Sequence, residues 1–155
     1  MNGGRKLNNT KKIFLIMLLV LVTTGCNIKD INKTANRKEI IMEQVESIKV
    51  NIDDNDYTIN LENNDTVLEF IKLLPKEFEM NELNGNEKYV YLEKELPSNP
   101  VKINNIEAGD VMLYGDNCLV IFYKSFTTSY TYTKIGHIDN LPNLGSGSVK
   151  VKFVK

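Results

Sequence analysis

Two kinds of hydrophobic pattern divide the chain. Ile13 to Val22 is almost continuously apolar, whereas from Ser47 onward apolar and polar positions alternate. Ile48, Val50 and Ile52 alternate with polar neighbours, and Tyr57, Ile59 and Leu61 repeat the pattern beyond the polar stretch Asp53-Asp54-Asn55-Asp56. Successive side chains of a strand point to opposite faces, so period-two alternation on both sides of a polar turn predicts a β-hairpin. Thr66-Val67-Leu68-Glu69 has the Thr-x-x-Glu form of a capping box, and Val67, Leu68, Ile71 and Leu74 follow at helical spacing before Pro75. A helix that starts on Thr66 and stops at Pro75 is expected there. Phe78 and Met80 resume the alternation, followed by an Asn84-Gly85 turn and the run Tyr89-Val90-Tyr91-Leu92. Pro97 and Pro100 mark a loop. Asp110–Tyr114 and Cys118–Tyr123 are apolar runs on either side of the tight turn Gly115-Asp116-Asn117. Tyr132–Ile138 and Val149–Val154 complete the pattern, with Gly145-Ser146-Gly147-Ser148 as the turn into the last strand. Many short strands with polar turns and few helices predict a mainly β sandwich or barrel.

The apolar run near the start has a different meaning. It is shorter than the roughly 20 residues that a spanning helix needs. Lys11 and Lys12 precede it and small residues follow it, which is the layout of a secretory signal. Its end, Thr23-Thr24-Gly25-Cys26, resembles a bacterial lipoprotein cleavage box, with Thr23 where Leu or Val is usual. The resemblance implies cleavage before Cys26 and a diacylglycerol on its sulfur. Each buried CH₂ of such a chain stabilises membrane attachment by about 0.8 kcal/mol. The expected plan is a signal peptide over 1–25, a lipidated Cys26 with a polar tether over 26–46, and one folded domain over 47–155. Within the tether, Lys38 to Val45 has the pattern of a short amphipathic helical turn. The expected location is a bacterial cell membrane, lipid-anchored on its extracytoplasmic face. The expected partner there is membrane lipid, through acylated Cys26.

Charge narrows the partners further. The chain carries 19 basic and 20 acidic residues. Removal of residues 1–25 takes away Arg5, Lys6, Lys11 and Lys12 and no acid, which leaves 15 bases against 20 acids and a net charge of −5. Such a balance argues against nucleic acid and against electrostatic adhesion to anionic lipid. Of the two cysteines, acylation of Cys26 would leave Cys118 without a partner. Cys118 lies in the apolar run Cys118–Tyr123 and reads as a small buried hydrophobe. One histidine cannot supply a zinc site, and no cofactor motif is present. The acidic turn beginning at Asp53 lacks the Gly and Glu that a calcium-binding helix-loop-helix places at its sixth and twelfth positions.

Five segments together resemble a bacterial cyclophilin-like domain family over Ser47–Lys155. They are Phe70-Ile71-Lys72-Leu73-Leu74-Pro75, Asn84-Gly85-Asn86-Glu87-Lys88, Ala108-Gly109-Asp110-Val111, Leu119-Val120-Ile121-Phe122-Tyr123 and Ile135-Gly136-His137-Ile138-Asp139. The resemblance implies a small antiparallel cyclophilin-like β-barrel of about eight strands with one or two short helices. Where family members usually have Arg or Lys after the glycine, this chain has His137. The family is functionally open, so the fold alone assigns no activity. Active cyclophilins lower the barrier to X–Pro rotation, about 18–20 kcal/mol for a peptide bond, with an arginine and glutamine- and aromatic-bearing segments. Here the only arginines are Arg5 and Arg37, the only glutamine is Gln44, and there is no Trp. A lysine lacks the planar fork of a guanidinium and is no equivalent donor. The expected role is therefore a non-catalytic ligand- or protein-binding module. The alternative is a peptidyl-prolyl isomerase or another enzyme built around His137, Asp139 and Tyr123.

Two constellations remain as candidates. His137 and Asp139 share one side of a strand, with Ser125 or Ser129 as conceivable companions, but no Gly-x-Ser-x-Gly context is present. Phe122, Tyr123, Phe126, Tyr130 and Tyr132 surround a Ser- and Thr-rich loop. Tyrosines offer contact area with a polar tip, which suits a peptide, protein or small-molecule ligand. The candidate groove comprises Tyr123, Phe126, Tyr130, Tyr132, His137 and Asp139. The competing reading places alternate aromatics inside the barrel and the rest on its surface.

Overall fold

The computed structural model describes residues 45–155. The expected signal peptide, Cys26 and all but the last residue, Val45, of the helical turn expected within the tether lie outside the described residues. Eleven strands and one helix follow in the order β1 (Ser47–Ile52), β2 (Asn55–Leu61), α1 (Asp65–Ile71), β3 (Lys76–Leu83), β4 (Glu87–Tyr91), β5 (Val101–Lys102), β6 (Asn105–Ile106), β7 (Asp110–Tyr114), β8 (Cys118–Phe122), β9 (Phe126–Thr127), β10 (Thr131–Ile138) and β11 (Val149–Val154). The main sheet runs β2-β1-β11-β3-β4-β8-β7-β10, with the two-residue β5 added beside β10, and β2 also pairs with β10. Every ladder is antiparallel, so the eight strands close into a barrel. Closure pairs the backbone groups that an open edge would leave free. The mainly β barrel expected from the alternation is thus the fold.

The hairpins follow the turn chemistry. Ile52 pairs with Asn55, so the first turn contains only Asp53 and Asp54. Their φ values are 45° and 66°. Positive φ at both central residues gives the two-residue turn whose twist matches the flanking strands, and Asp tolerates it well. Val45 packs against the core, and the Glu46 carbonyl accepts from Leu61 N at 2.8 Å.

The helix is shorter than its periodicity predicted, and its cap is a different residue. Asn64, not Thr66, is the N-cap, with its side-chain oxygen accepting from Val67 N at 2.9 Å. Thr66 is buried and donates its hydroxyl to Pro97 O at 2.5 Å, which takes it away from the capping role. The Asn64 amide also donates to Lys134 O at 2.8 Å and ties α1 to β10. The helix gives way to a turn after Ile71 rather than running on to Leu74. Val67, Phe70 and Ile71 enter the barrel core, where Phe70 meets Phe153 edge-on at 5.3 Å between ring centroids.

The core is one cluster of inward residues. It takes Ile48, Val50 and Ile52 from β1, Val149, Val151 and Phe153 from β11, Leu119 and Ile121 from β8, and Val111 and Leu113 from β7. A lysine joins them. Lys88 on β4 is fully buried, and its ammonium donates to Gly145 O at 2.7 Å and Gly147 O at 2.6 Å. It also lies 5.0 Å from the centroid of the Tyr123 ring. Burial pushes the Lys88 ammonium pKa down, against the pull of Glu82 and Asp53. Lysines are almost never fully buried without partners. Here the partners are carbonyls of the glycine-rich turn, so that turn both enters β11 and closes over a buried cation.

Gly136 sits at the closing seam. It pairs with Leu61 of β2 on one side and with Val111 of β7 on the other, next to a register shift after Lys134. A Cβ added there would collide with the Asn60 carbonyl and lie 2.8 Å from Ile59 Cγ2. At Gly115, by contrast, an added Cβ meets open space and only its φ of 66° opposes a side chain. Gly136→Ala is expected to destabilise the barrel by about 1–3 kcal/mol, the usual range for forced overpacking, and more than Gly115→Ala. Urea unfolding of both variants checks this. Equal loss in the two, or no loss at Gly136, would contradict the seam's role.

Candidate functional site

The strands β4, β8, β7 and β10 are covered on both faces. Their inward side chains enter the barrel core. Their outward side chains Met112, Cys118, Val120, Phe122 and Tyr132 form a second cluster with Ile106, and Tyr89, Ile103 and Phe126 pack against it. The short β6–β9 ladder, in which Ile106 pairs with Phe126, supplies this cover. Phe122 meets Phe126 at 5.6 Å and Tyr132 at 5.5 Å. The cover stops short of the β7–β8 turn and leaves a groove of about 260 Å³.

The groove follows from residue size along one row of the sheet. Tyr91 pairs with Cys118, and Cys118 pairs with Tyr114. Directly paired residues project on the same face, so two tyrosines flank one small side chain. In the next row Tyr89 pairs with Val120. Tyr89 and Tyr91 form one wall, with ring centroids 5.9 Å apart at 80°. Tyr114, Tyr130 and Tyr132 form the other, with Tyr114 5.9 Å from Tyr130 and 5.5 Å from Tyr132. Cys118 and Val120 are the floor, and Leu83, Asn84 and Glu87 close the remaining side. Tyr91, Tyr114 and Tyr130 are 65%, 46% and 60% exposed, so the walls rise into solvent while the floor is dry.

Negative charge is disfavoured throughout this groove. The Glu87 carboxyl is raised above its ordinary range by burial first and the charge of Glu82 second, against a hydrogen bond from Asn84 that pulls it down. Burial, helped by Glu87, pushes the Cys118 thiol up to about 11. Burial, again with Glu87, pushes the Tyr132 hydroxyl up to about 12. A thiol so raised is poorly populated as the nucleophilic thiolate. No lysine, arginine or histidine is among the described residues that line the groove.

The structure divides the residues singled out in the sequence. Tyr130 and Tyr132 line the groove, and Phe126 packs beneath it against Phe122. Tyr123 does not share it, because the residue after Phe122 projects to the opposite face. Its ring lies in the barrel core, and its hydroxyl donates to Glu82 at 3.2 Å. His137 and Asp139 are not among the lining residues either. His137 pairs with Asp110 across β10 and β7, and Asp110 stands four residues from Tyr114. At roughly 3.3 Å per residue that is about 13 Å along the strand.

At that distant end His137 Nδ1 lies 3.0 Å from Asp110 Oδ1, and the other Asp110 oxygen accepts from Glu107 N at 2.9 Å. His137 Nε2 is 3.9 Å from Asp139 Oδ1, and Asn60 donates to Asp139 Oδ2 at 3.0 Å. Ser125, the hydroxyl considered with this pair, accepts instead from Ala108 N at 3.0 Å. Among the described residues no cluster of three or more His, Cys, Asp or Glu side chains is placed to hold a metal ion.

Sequence reasoning missed most of the groove: Tyr89, Tyr91, Tyr114, Glu87 and the position of Cys118. The signal was present as two alternations, Glu87-x-Tyr89-x-Tyr91 and Cys118-x-Val120-x-Phe122, but only the register sets large against small. A closed antiparallel eight-stranded barrel with one short helix and an aromatic groove on its outer face defines a class of small β-barrel domains. Residues 50–154 match the Cyclophilin-like family, and the chain belongs to it. No curated protein and no solved structure matches the chain.

The electrostatics give a signed expectation. Glu87 has its folded pKa above the unfolded value, so folding favours its protonated form. Below the unfolded pKa the group is neutral in both states and contributes nothing to the difference. As pH rises through the folded pKa, the folded state carries a penalty that the unfolded state does not. Glu87→Gln is therefore expected to raise the melting temperature at pH 8 and to leave it almost unchanged at pH 4. Calorimetric scans of the variant and the parent chain at both pH values check this. A stabilisation independent of pH, or a loss of stability at pH 8, would contradict it.

Proposed function

We propose that the protein is a lipid-anchored extracytoplasmic lipoprotein whose cyclophilin-like barrel binds a ligand or protein without catalysing a reaction. The observation that carries the binding reading is the tyrosine-walled groove on the β4-β8-β7-β10 face. Its rim residues are exposed, its floor is buried, and its thiol and phenol are poorly populated as nucleophiles. Large solvent-facing aromatics grouped around a concave surface are what ligand sites use, and monomeric domains rarely expose such patches without a role. The absence of Arg, Gln and Trp from the barrel sequence supports a role other than proline isomerisation. The anchoring half of the proposal rests on the sequence Lys11 to Cys26, with its basic start, apolar middle and terminal cysteine.

Each half has its own test. The parent chain is expected in the membrane fraction of expressing cells with labelled palmitate attached. Cys26→Ala is expected to lose the label and to leave the membrane. Membrane retention of Cys26→Ala, or an unlabelled parent chain, would sink the anchoring half. For the binding half, a nuclear magnetic resonance screen of small fragments is expected to move the amide signals of Cys118 and Val120. Tyr114→Ala is expected to weaken those fragments at least tenfold. A screen in which no compound moves these signals would sink the binding half, and turnover of a proline peptide would replace it with an enzymatic role.

A further inference from the structure

The row Tyr91–Cys118–Tyr114 sets the width of the groove. Neighbouring strands stand about 4.7–4.9 Å apart, so β4 and β7 are roughly 9.5 Å apart across β8. A group resting midway on Cys118 is then about 5 Å from the row of each tyrosine, inside the ~6 Å at which a cation is attracted to an aromatic ring. The floor is one thiol and one valine, so such a group can descend between the walls. A cavity of about 260 Å³ leaves room for a short polar tail as well.

The charge pattern selects among small ligands. Among the described residues, Glu87 is the one carboxylate lining the groove, and no basic side chain lines it. Glu87 is also buried, and its hydrogen bond comes from the neutral Asn84 side chain. Among the described residues, an anion entering here meets a carboxylate, five phenols and no counter-charge. A cation meets the negative faces of the rings together with a carboxylate that burial already penalises. From this arrangement we infer that the groove binds a small, free alkylammonium cation of the trimethylammonium type. A phosphocholine lipid headgroup fits less well, because its phosphate would follow the ammonium into a groove without a base. This inference rests on the binding reading above and names the class of ligand for that same site.

Choline and its uncharged carbon isostere, 3,3-dimethylbutan-1-ol, separate charge from shape. The full-length chain in maltoside micelles at pH 8, followed by calorimetric titration, is expected to bind choline at least tenfold more tightly than the isostere. Tyr91→Ala and Tyr114→Ala are each expected to weaken choline at least tenfold. Tyr91 is 65% and Tyr114 46% exposed and neither belongs to a buried cluster, so these variants retain the fold. Glu87→Gln is expected to weaken choline at least fivefold while melting at a higher temperature than the parent chain. A merely structural carboxylate would not produce that opposition. Equal binding of choline and the isostere would overturn the cation assignment and leave a binding module. Tighter binding of dihexanoylphosphatidylcholine below its micellar concentration would overturn the free ligand in favour of a lipid headgroup. Absence of choline binding would overturn the inference outright. If the fragment screen still moved Cys118 and Val120, the binding reading would survive that failure.

Discussion

Everything in this domain depends on the seam where β2 meets β10. Without it the sheet would be an open ribbon with two long edges, and its inward aliphatic rows would face no opposite wall. Closure needs the β10 backbone to come close to β2 at the point where β10 also pairs with β7. Gly136 makes that approach possible, because any side chain there would strike the Asn60 carbonyl. The register shift after Lys134 adjoins the same point, and a bulge there adds local bend and twist. Gly109 serves the neighbouring approach, with a φ of 104° and its N–H donating to Phe122 O at 2.7 Å. Two glycines therefore let the chain pass close to itself where the barrel shuts.

Once the barrel is closed by its inward residues, its outward face is free for other uses. Adjacent residues of β4 illustrate this. Lys88 points inward and is held by glycine carbonyls, whereas Glu87 points outward and lines the groove. Each burial opposes the charge it covers: the Lys88 pKa moves down and the Glu87 pKa moves up. The two serve different ends. The Gly145 and Gly147 carbonyls accept from the Lys88 ammonium, which would otherwise be a buried donor without acceptors, a defect with a penalty of roughly 1–3 kcal/mol or more for a charged group. Among the described residues no cation is paired with Glu87, and its burial opposes stability. Groups that work against stability concentrate at functional sites, and the tyrosines around Glu87 lie where such a group has use.

Much of the fold was legible in the residues, and the reasons are local. Period-two alternation located β1, β2 and β3, apolar runs located β7 and β8, the segments Tyr132–Ile138 and Val149–Val154 gave β10 and β11, and acidic or glycine-bearing turns located the hairpins. The helix was found, but its cap was misplaced by two residues, because Thr66 is drawn to Pro97 by a contact that no local pattern encodes. The two-residue strands β5, β6 and β9 are too short to show a period. The site was less legible for a geometric reason. Tyr130 and Tyr132 lie near each other in sequence, but their opposite wall comes from β4, some forty residues away, and the floor from β8. Tyr123 and His137 are chemically suited to a site, yet Tyr123 lies on the inward face and His137 at the far end of β10. Residue type nominated them, and face and register separated them.

The central claim is that two tyrosine walls, separated by the width of β8, hold one ligand between them. Intermolecular nuclear Overhauser contacts measure this most directly, with the protein selectively protonated at its tyrosine rings. The account predicts simultaneous contacts from the methyl groups of bound choline to the rings of both Tyr91 and Tyr114. Contacts to one wall alone, or to Tyr123 or His137 in place of the groove tyrosines, would contradict it.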